Sequence, residues 1–138
     1  MEPPPLLSQR PRAVQYVLAN AVPTIFGLIC GVVLGLSGGA YLGLQLLAAL
    51  GGVAAGYEHR GAGEGAARGA IGGVQFGAAI VAVYAIGNIN PKANIPHPAI
   101  ILVVLTTVIG ALLGALGGML RARRMRSAPA AAPTGDSH

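Results

Sequence analysis

One short polar stretch gathers five ionisable side chains within eleven residues: Glu58, His59, Arg60, Glu64 and Arg68. Carboxylates and histidine are the groups that perform acid–base chemistry or hold a metal ion. His59 has no second metal ligand nearby, and no Ser-His-acid arrangement accompanies it. Glu64 and Arg68 have the four-residue spacing of an ion pair on one helix face. We expect a helix to begin near Gly63. Polar contacts of Glu58, Glu64 and Arg68 would then form either a solvated turn or a docking surface for a partner or a lipid head group.

Two glutamines are the other polar candidates, because they lie within apolar segments. Gln45 lies about six residues from one end of its segment, and Gln75 about six residues from the opposite end of its own. At a rise of about 1.5 Å per residue their depths differ by roughly 10 Å, so we expect them not to bond each other. Each is expected to bond a backbone carbonyl or a neighbouring subunit, and contact with a substrate is the alternative.

The apolar segments around these candidates contain no Asp, Glu, Lys, Arg or His. Ion-coupled pumps and proton relays place ionisable groups inside the membrane, so that class of function is disfavoured. The lone Cys30 has no partner within the chain and is expected to pack as a small apolar side chain. We predict no catalytic residue, no cofactor and no metal, and conclude that the chain is not an enzyme.

The elements that must position these residues are membrane helices. The chain has 138 residues, 54% of them apolar and 9% charged, whereas a soluble domain carries about 25% charged residues. A membrane helix needs roughly 20 apolar residues. We predict an all-α membrane protein, a four-helix transmembrane bundle with glycine-zipper packing. We predict three regions: a cytoplasmic amino-terminal tail (1–12), a transmembrane domain (13–120) and a basic, then disordered, cytoplasmic tail (121–138). The transmembrane domain contains four spans, at about residues 14–36, 40–56, 69–87 and 98–120.

Glycine recurs every fourth residue in three of these spans. The rows are Gly27, Gly31, Gly35 and Gly39; Gly65, Gly69, Gly73 and Gly77; and Gly110, Gly114 and Gly118. Residues four apart share one helix face, so each row is a groove into which another helix backbone fits closely. Small residues at this spacing drive helix association in lipid. We assign helix packing to all eleven glycines, within the chain, between chains, or both.

Prolines and a serine shape the connections. Pro23 is expected to kink the first helix or mark its start, with a neighbouring helix satisfying the carbonyl that it frees. Ser37 and the two glycines after it predict a tight turn between the first two spans. Pro98 suits the first turn of the fourth helix.

The net charge of +5 follows the pattern of membrane topology. With both termini inside, the inner side carries Arg10, Arg12, Arg60, Arg68, Arg121, Arg123, Arg124 and Arg126, and the outer side only Lys92. This positive-inside bias predicts a multi-pass integral membrane protein with both termini cytoplasmic. Basic residues dispersed between apolar segments argue against nucleic-acid binding. The cluster Arg121, Arg123, Arg124 and Arg126 acts as a stop signal and would suit an anionic lipid.

Three functions fit these features. The first is a non-enzymatic helix-packing or accessory subunit, acting as a homo-oligomer or with another membrane protein. The second is a small oligomeric solute transporter or channel, because a single four-helix chain is expected to have little interior for a solute. The third is a scaffold at the membrane surface that uses the stretch from Glu58 to Arg68 and the arginine tail.

Overall fold

The computed structural model describes residues 5–127, whose regular structure is entirely helical. Its four main helices are α1 (Arg12–Leu36), α2 (Gly38–Tyr57), α3 (Ala62–Ile86) and α4 (Ile100–Ser127). Each is long and apolar enough to cross a membrane. A 3-10 helix, Leu7–Gln9, precedes α1. The prediction of an all-α chain with four membrane-length helices is confirmed. The predicted disordered tail beyond Ser127 lies outside the described residues.

α1 runs without interruption through Pro23. The turn Val17–Ala21 is π-helical, and the N–H of Val22 bonds the carbonyl of Val17 five residues earlier. Pro23 has no N–H, and the helix continues in α-helical register from Val22 to Leu36. Pro23 therefore does not mark the start of the helix. The π-helical turn precedes the position at which the ladder of backbone hydrogen bonds is broken.

A single residue, Ser37, connects α1 to α2. Its backbone is extended, and its hydroxyl oxygen accepts a hydrogen bond from the backbone N–H of Ala40 at 3.3 Å. A serine in this N-cap position satisfies one of the free donors at the start of a helix. The tight turn predicted here is therefore even shorter than expected, because Gly38 already belongs to α2.

The ends of α3 and α4 extend past the predicted apolar spans. α3 begins at Ala62, next to the predicted Gly63, because the polar residues before the span also adopt helical structure. α4 begins at Ile100, two residues after Pro98, and continues to Ser127 rather than ending at Leu120. Arginine is a good helix former, so the basic segment that would stop a membrane span does not stop the helix.

The helices are arranged around the bundle in the order α1, α3, α4 and α2. α3 and α4 form the closest pair, α1 packs mainly on α3, and α2 packs mainly on α4. α1 and α2 meet near Ser37, where Cys30, Leu34 and Tyr41 join Phe76 of α3 in a small buried cluster. Away from Ser37 a gap separates α1 from α2.

Glycines lie at the α3–α4 contact. A Cβ atom placed on Gly69 would overlap the carbonyl oxygen of Gly110, and one on Gly110 would overlap the carbonyl oxygen of Gly69. Gly65 and Gly114 have the same reciprocal relationship. The two backbones therefore touch directly, and no larger residue fits between them without moving a helix.

The other glycines of the three rows also meet neighbouring segments, with one exception. In the first row, an added Cβ would contact Phe76 from Gly27, Val83 from Gly31 and Ile89 from Gly35. In the other two rows, it would contact Thr106 from Gly73 and from Gly77, and Gly61 from Gly118. A Cβ on Gly39 would meet only the hydroxyl of Ser37, at 4.0 Å. Ten of the eleven glycines therefore lie against another part of the same chain.

Candidate functional site

A cavity of about 520 Å³ occupies the gap between α1 and α2. All four helices line it, and its walls are mostly apolar, with Leu18, Phe26, Ala48, Gly72 and Leu113 among them. Volumes of about 300–1,000 Å³ are typical of sites that hold small molecules. The expectation that one chain has too little interior for a solute is therefore wrong, because α1 and α2 diverge from their junction and leave space between them.

The cavity has one open flank and one charged end. Val22 of α1 and Leu47 of α2 line it from opposite sides and are 49% and 55% exposed, which places an opening between these two helices. Glu58 and Arg68 also line the cavity. We call the end of the bundle that carries Glu58, Arg68 and the arginines of α4 the charged end.

Arg68 connects α3 to the π-helical turn of α1. Its Nη2 donates a 2.6 Å hydrogen bond to the carbonyl oxygen of Leu18. In π register the partner of that carbonyl would be the N–H of residue 23, and this residue is Pro23, which has none. A neighbouring helix thus satisfies the carbonyl that the proline leaves free, as predicted.

Glu64 does not form the predicted ion pair with Arg68. Its Oε2 accepts a 3.2 Å hydrogen bond from the backbone N–H of Arg60, two residues before the start of α3. The guanidinium of Arg68 turns instead toward α1. A carboxylate in the first turn of a helix is favourable in its own right, and the carbonyl of Leu18 competes with Glu64 for the guanidinium of Arg68.

Gln75 bonds a side chain rather than a backbone carbonyl. Its Nε2 donates to Oδ1 of Asn20 in α1 at 2.7 Å, while its own Oε1 is buried without a hydrogen-bond partner among the described residues. The Nε2 of Gln75 therefore has a side-chain partner within the chain instead of a backbone carbonyl, because Asn20 lies at the α1–α3 contact. Asn20 was missed as a candidate, although it is the one asparagine within the apolar segment of α1.

Gln45 lines the cavity and retains an unused donor. Its amide Nε2 is buried and reaches no acceptor at hydrogen-bond distance within residues 5–127. Leaving such a group unsatisfied costs about 1–3 kcal/mol. Gln45 and Gln75 do not bond each other, in agreement with their different depths.

A segment before α1 crosses to the end of α2. The backbone N–H of Leu7 donates to the carbonyl of Glu58 at 3.1 Å, and Arg10 forms an ion pair with the Glu58 carboxylate at 2.5 Å. Leu7 also lines the cavity. We call residues 5–11 the amino-terminal strap. It spans the gap between α1 and α2 at the charged end and brings Glu58 into contact with Arg10, a residue that sequence reasoning assigned only to topology.

The four arginines of α4 do not share one environment. Arg121 is only 7% exposed, donates to the carbonyl oxygen of Tyr57 at 3.1 Å, and places its guanidinium 5.7 Å from the centre of the Tyr57 ring. Arg124 reaches the Tyr57 hydroxyl at 3.4 Å. Arg123 and Arg126 are exposed. Arg121 thus attaches α4 to the end of α2, a role that its position in a basic run does not reveal.

Histidine and cysteine occupy structural positions. His59 Nδ1 lies 3.0 Å from the carbonyl oxygen of Ala55 at the end of α2. Cys30 is fully buried in the apolar cluster with a free thiol. Across residues 5–127, no three side chains of His, Cys, Asp or Glu come together as a metal site.

No protein-family model, curated protein or solved structure matches this chain. Three features of the chain itself bear on its function: the cavity, the uncovered faces of its helices and the charged end.

Proposed function

We propose that this chain is a four-span membrane protein that acts as a non-enzymatic packing or accessory subunit, with both termini in the cytoplasm. The helix lengths and the collection of arginines at one end of the bundle support this topology, because positive residues favour the cytoplasmic side. In this proposal the glycine contacts between α3 and α4 hold the fold together, and another helix face makes the contact with a second subunit.

The observation that carries this proposal is an uncovered face on α2. This helix is the least buried of the four. A Cβ on Gly43 would meet no atom within 4 Å, in contrast to the glycines between α3 and α4. The large side chains Leu46 and Leu50 on α2 are about 70% exposed. Small residues that permit close helix approach, and that nothing in the chain approaches, favour an intermolecular helix contact. We propose a second copy of this chain as the partner.

Disulfide cross-linking tests this proposal in native membranes. Cys30→Ala removes the only cysteine, and Gly43→Cys then introduces one on the uncovered face of α2. Leu112→Cys is the matched control, because Leu112 is 66% exposed on α4. We expect mild oxidation to give a covalent homodimer through Gly43→Cys and little through Leu112→Cys. Equal yields from the two variants would contradict the proposal, and a product with a different protein would replace the second copy as partner.

Solute transport is the second candidate, and the cavity is the observation that favours it. The cavity lies within one chain, so a transport path would not need an oligomer to form its walls. Solute-stimulated change in the water accessibility of Gln45→Cys, measured with a membrane-impermeant thiol reagent in the Cys30→Ala background, would support transport over packing alone.

A further inference from the structure

The cavity is elongated. Its lining runs along α2 from Gln45 to Glu58, which at about 1.5 Å per residue is about 20 Å. Most of the residues along this length are apolar, among them Ala48, Gly52 and Ala55. The shape therefore favours an elongated apolar ligand.

The cavity offers positive charge at one end only. Arg68 uses one of the five donors of its guanidinium, on the carbonyl of Leu18. Within residues 5–127 it makes no ion pair, because Glu58 pairs with Arg10. Arg10, Glu58 and Arg68 together carry one net positive charge. An anionic oxygen group is the natural partner for an arginine with unused donors, whereas the apolar walls farther along reject charge.

We propose that the cavity binds one acyl chain that ends in an anionic oxygen group. The head lies at Arg68, the chain runs along the wall formed by Gly72 and Ala48 toward Gln45, and the ligand enters between Val22 and Leu47. This inference goes beyond the packing function and does not depend on it. For the transport alternative, it names the class of solute.

Two sources could supply such a chain, a free fatty acid or one chain of an anionic phospholipid. Both present the same chemistry to the cavity: an apolar tail and an anionic oxygen at its end. They differ in the size of the head and in the second chain, which would remain outside the opening. Competition between the two sources distinguishes them.

Photolabelling tests the site in the intact protein. The full chain is placed in nanodiscs of neutral phosphatidylcholine and incubated with a palmitate analogue that carries a diazirine near the end of its tail. Mass spectrometry then locates the label. We expect saturable labelling near Gln45 and Ala48. Unlabelled palmitate should compete if a fatty acid is the ligand, and phosphatidylglycerol should compete if a phospholipid is. Labelling that neither displaces overturns the proposal.

Two variants with matched controls test the residues. Gly72→Leu fills the cavity, and its Cβ would meet only the Nη1 of Arg68 at 3.0 Å and the Cβ of Pro23 at 3.9 Å. Gly63→Leu makes the same change on the same helix in open space. Arg68→Gln removes the charge at the cavity, and Arg60→Gln makes the same charge change at an exposed site. We expect labelling to fall about tenfold in the first member of each pair and to remain unchanged in the second.

A folding defect has a separate check. Melting temperature and size-exclusion profile are measured for every variant, and Ala55→Leu on the α2 wall replaces Gly72→Leu if the latter does not fold. Hexadecanol, which has the chain without the anion, should compete at least tenfold less well than palmitate, and this difference should disappear in Arg68→Gln. Equal labelling of wild type and folded cavity variants, or equal competition by hexadecanol and palmitate, would overturn the proposal. Neither of these two labelling results would change the interpretation of the cysteine cross-links on α2, which test the packing function.

Discussion

The guanidinium of Arg68 bonds the carbonyl oxygen of Leu18, fifty residues earlier in the chain, at 2.6 Å. This bond supplies a donor at the position where Pro23 cannot. It therefore joins two features that look unrelated in the sequence, a proline inside one apolar segment and a charged residue just before another.

Arg68→Met should destabilise the fold by about 1–3 kcal/mol, because it leaves the Leu18 carbonyl without its donor. Pro23→Ala restores a backbone N–H, so the same arginine substitution should cost much less in that background. Thermal unfolding of the two single variants and the double variant in detergent measures the coupling between the sites. Additive effects would show that Arg68 does not compensate for Pro23.

Gly73→Leu should lower the stability of the monomer by at least about 1–3 kcal/mol through overpacking. A Cβ at Gly73 already overlaps the carbonyl oxygen of Thr106, whereas Gly63 on the same helix faces open space. The melting temperature of Gly63→Leu should therefore match that of the wild type. Equal melting temperatures for the two leucine variants would refute tight α3–α4 packing at this point.

Gln75→Leu should destabilise the fold by about 1–3 kcal/mol, because the half-buried side chain of Asn20 would lose its hydrogen-bond donor. The double variant Asn20→Leu/Gln75→Leu should come close to the wild-type stability, since replacing both members of this half-buried polar pair leaves no group unsatisfied. Unfolding free energies of the four proteins in the cycle test this. A double variant as unstable as the sum of the singles would rule out a specific pair.

Arg121→Met should cost about 1.5–3 kcal/mol, the range for a hydrogen bond that involves a charged group. Arg121 is buried against Tyr57. Arg123→Met removes the same charge from an exposed position and should change stability by less than about 0.5 kcal/mol. Thermal melts in neutral detergent, where lipid charge has no effect, compare the two. Equal losses would assign the effect to net charge rather than to the contact with Tyr57.

The periodicity of the sequence was enough to predict the helices, because apolar length and glycine spacing are local properties. It could not assign each glycine a partner. Gly43 and Gly69 are identical as residues, yet one faces open space and the other lies on the backbone of α4. That difference depends on how the helices are ordered around the bundle, which no local pattern encodes.

The polar contacts were predicted less well, for a physical reason. Spacing rules compare residues on one helix, so they paired Arg68 with Glu64, whereas the actual partner of Arg68 is on α1. The cavity was missed for the same reason, because it arises from the divergence of α1 and α2. The sequence around Gln45 does not indicate that this side chain lines a cavity. Arg121 and Arg123 likewise differ only in the direction they face.

α1 and α2 are connected at both ends of the gap between them. Ser37 connects them at one end, and the amino-terminal strap, which bonds Glu58, connects them at the other. The remaining opening lies between Val22 and Leu47. If the bundle spans a membrane as proposed, a molecule would reach the cavity sideways, after first dissolving in the lipid. Occupancy would then follow the partition coefficient of the ligand rather than its aqueous concentration. Detergent monomers would compete for the same space during purification.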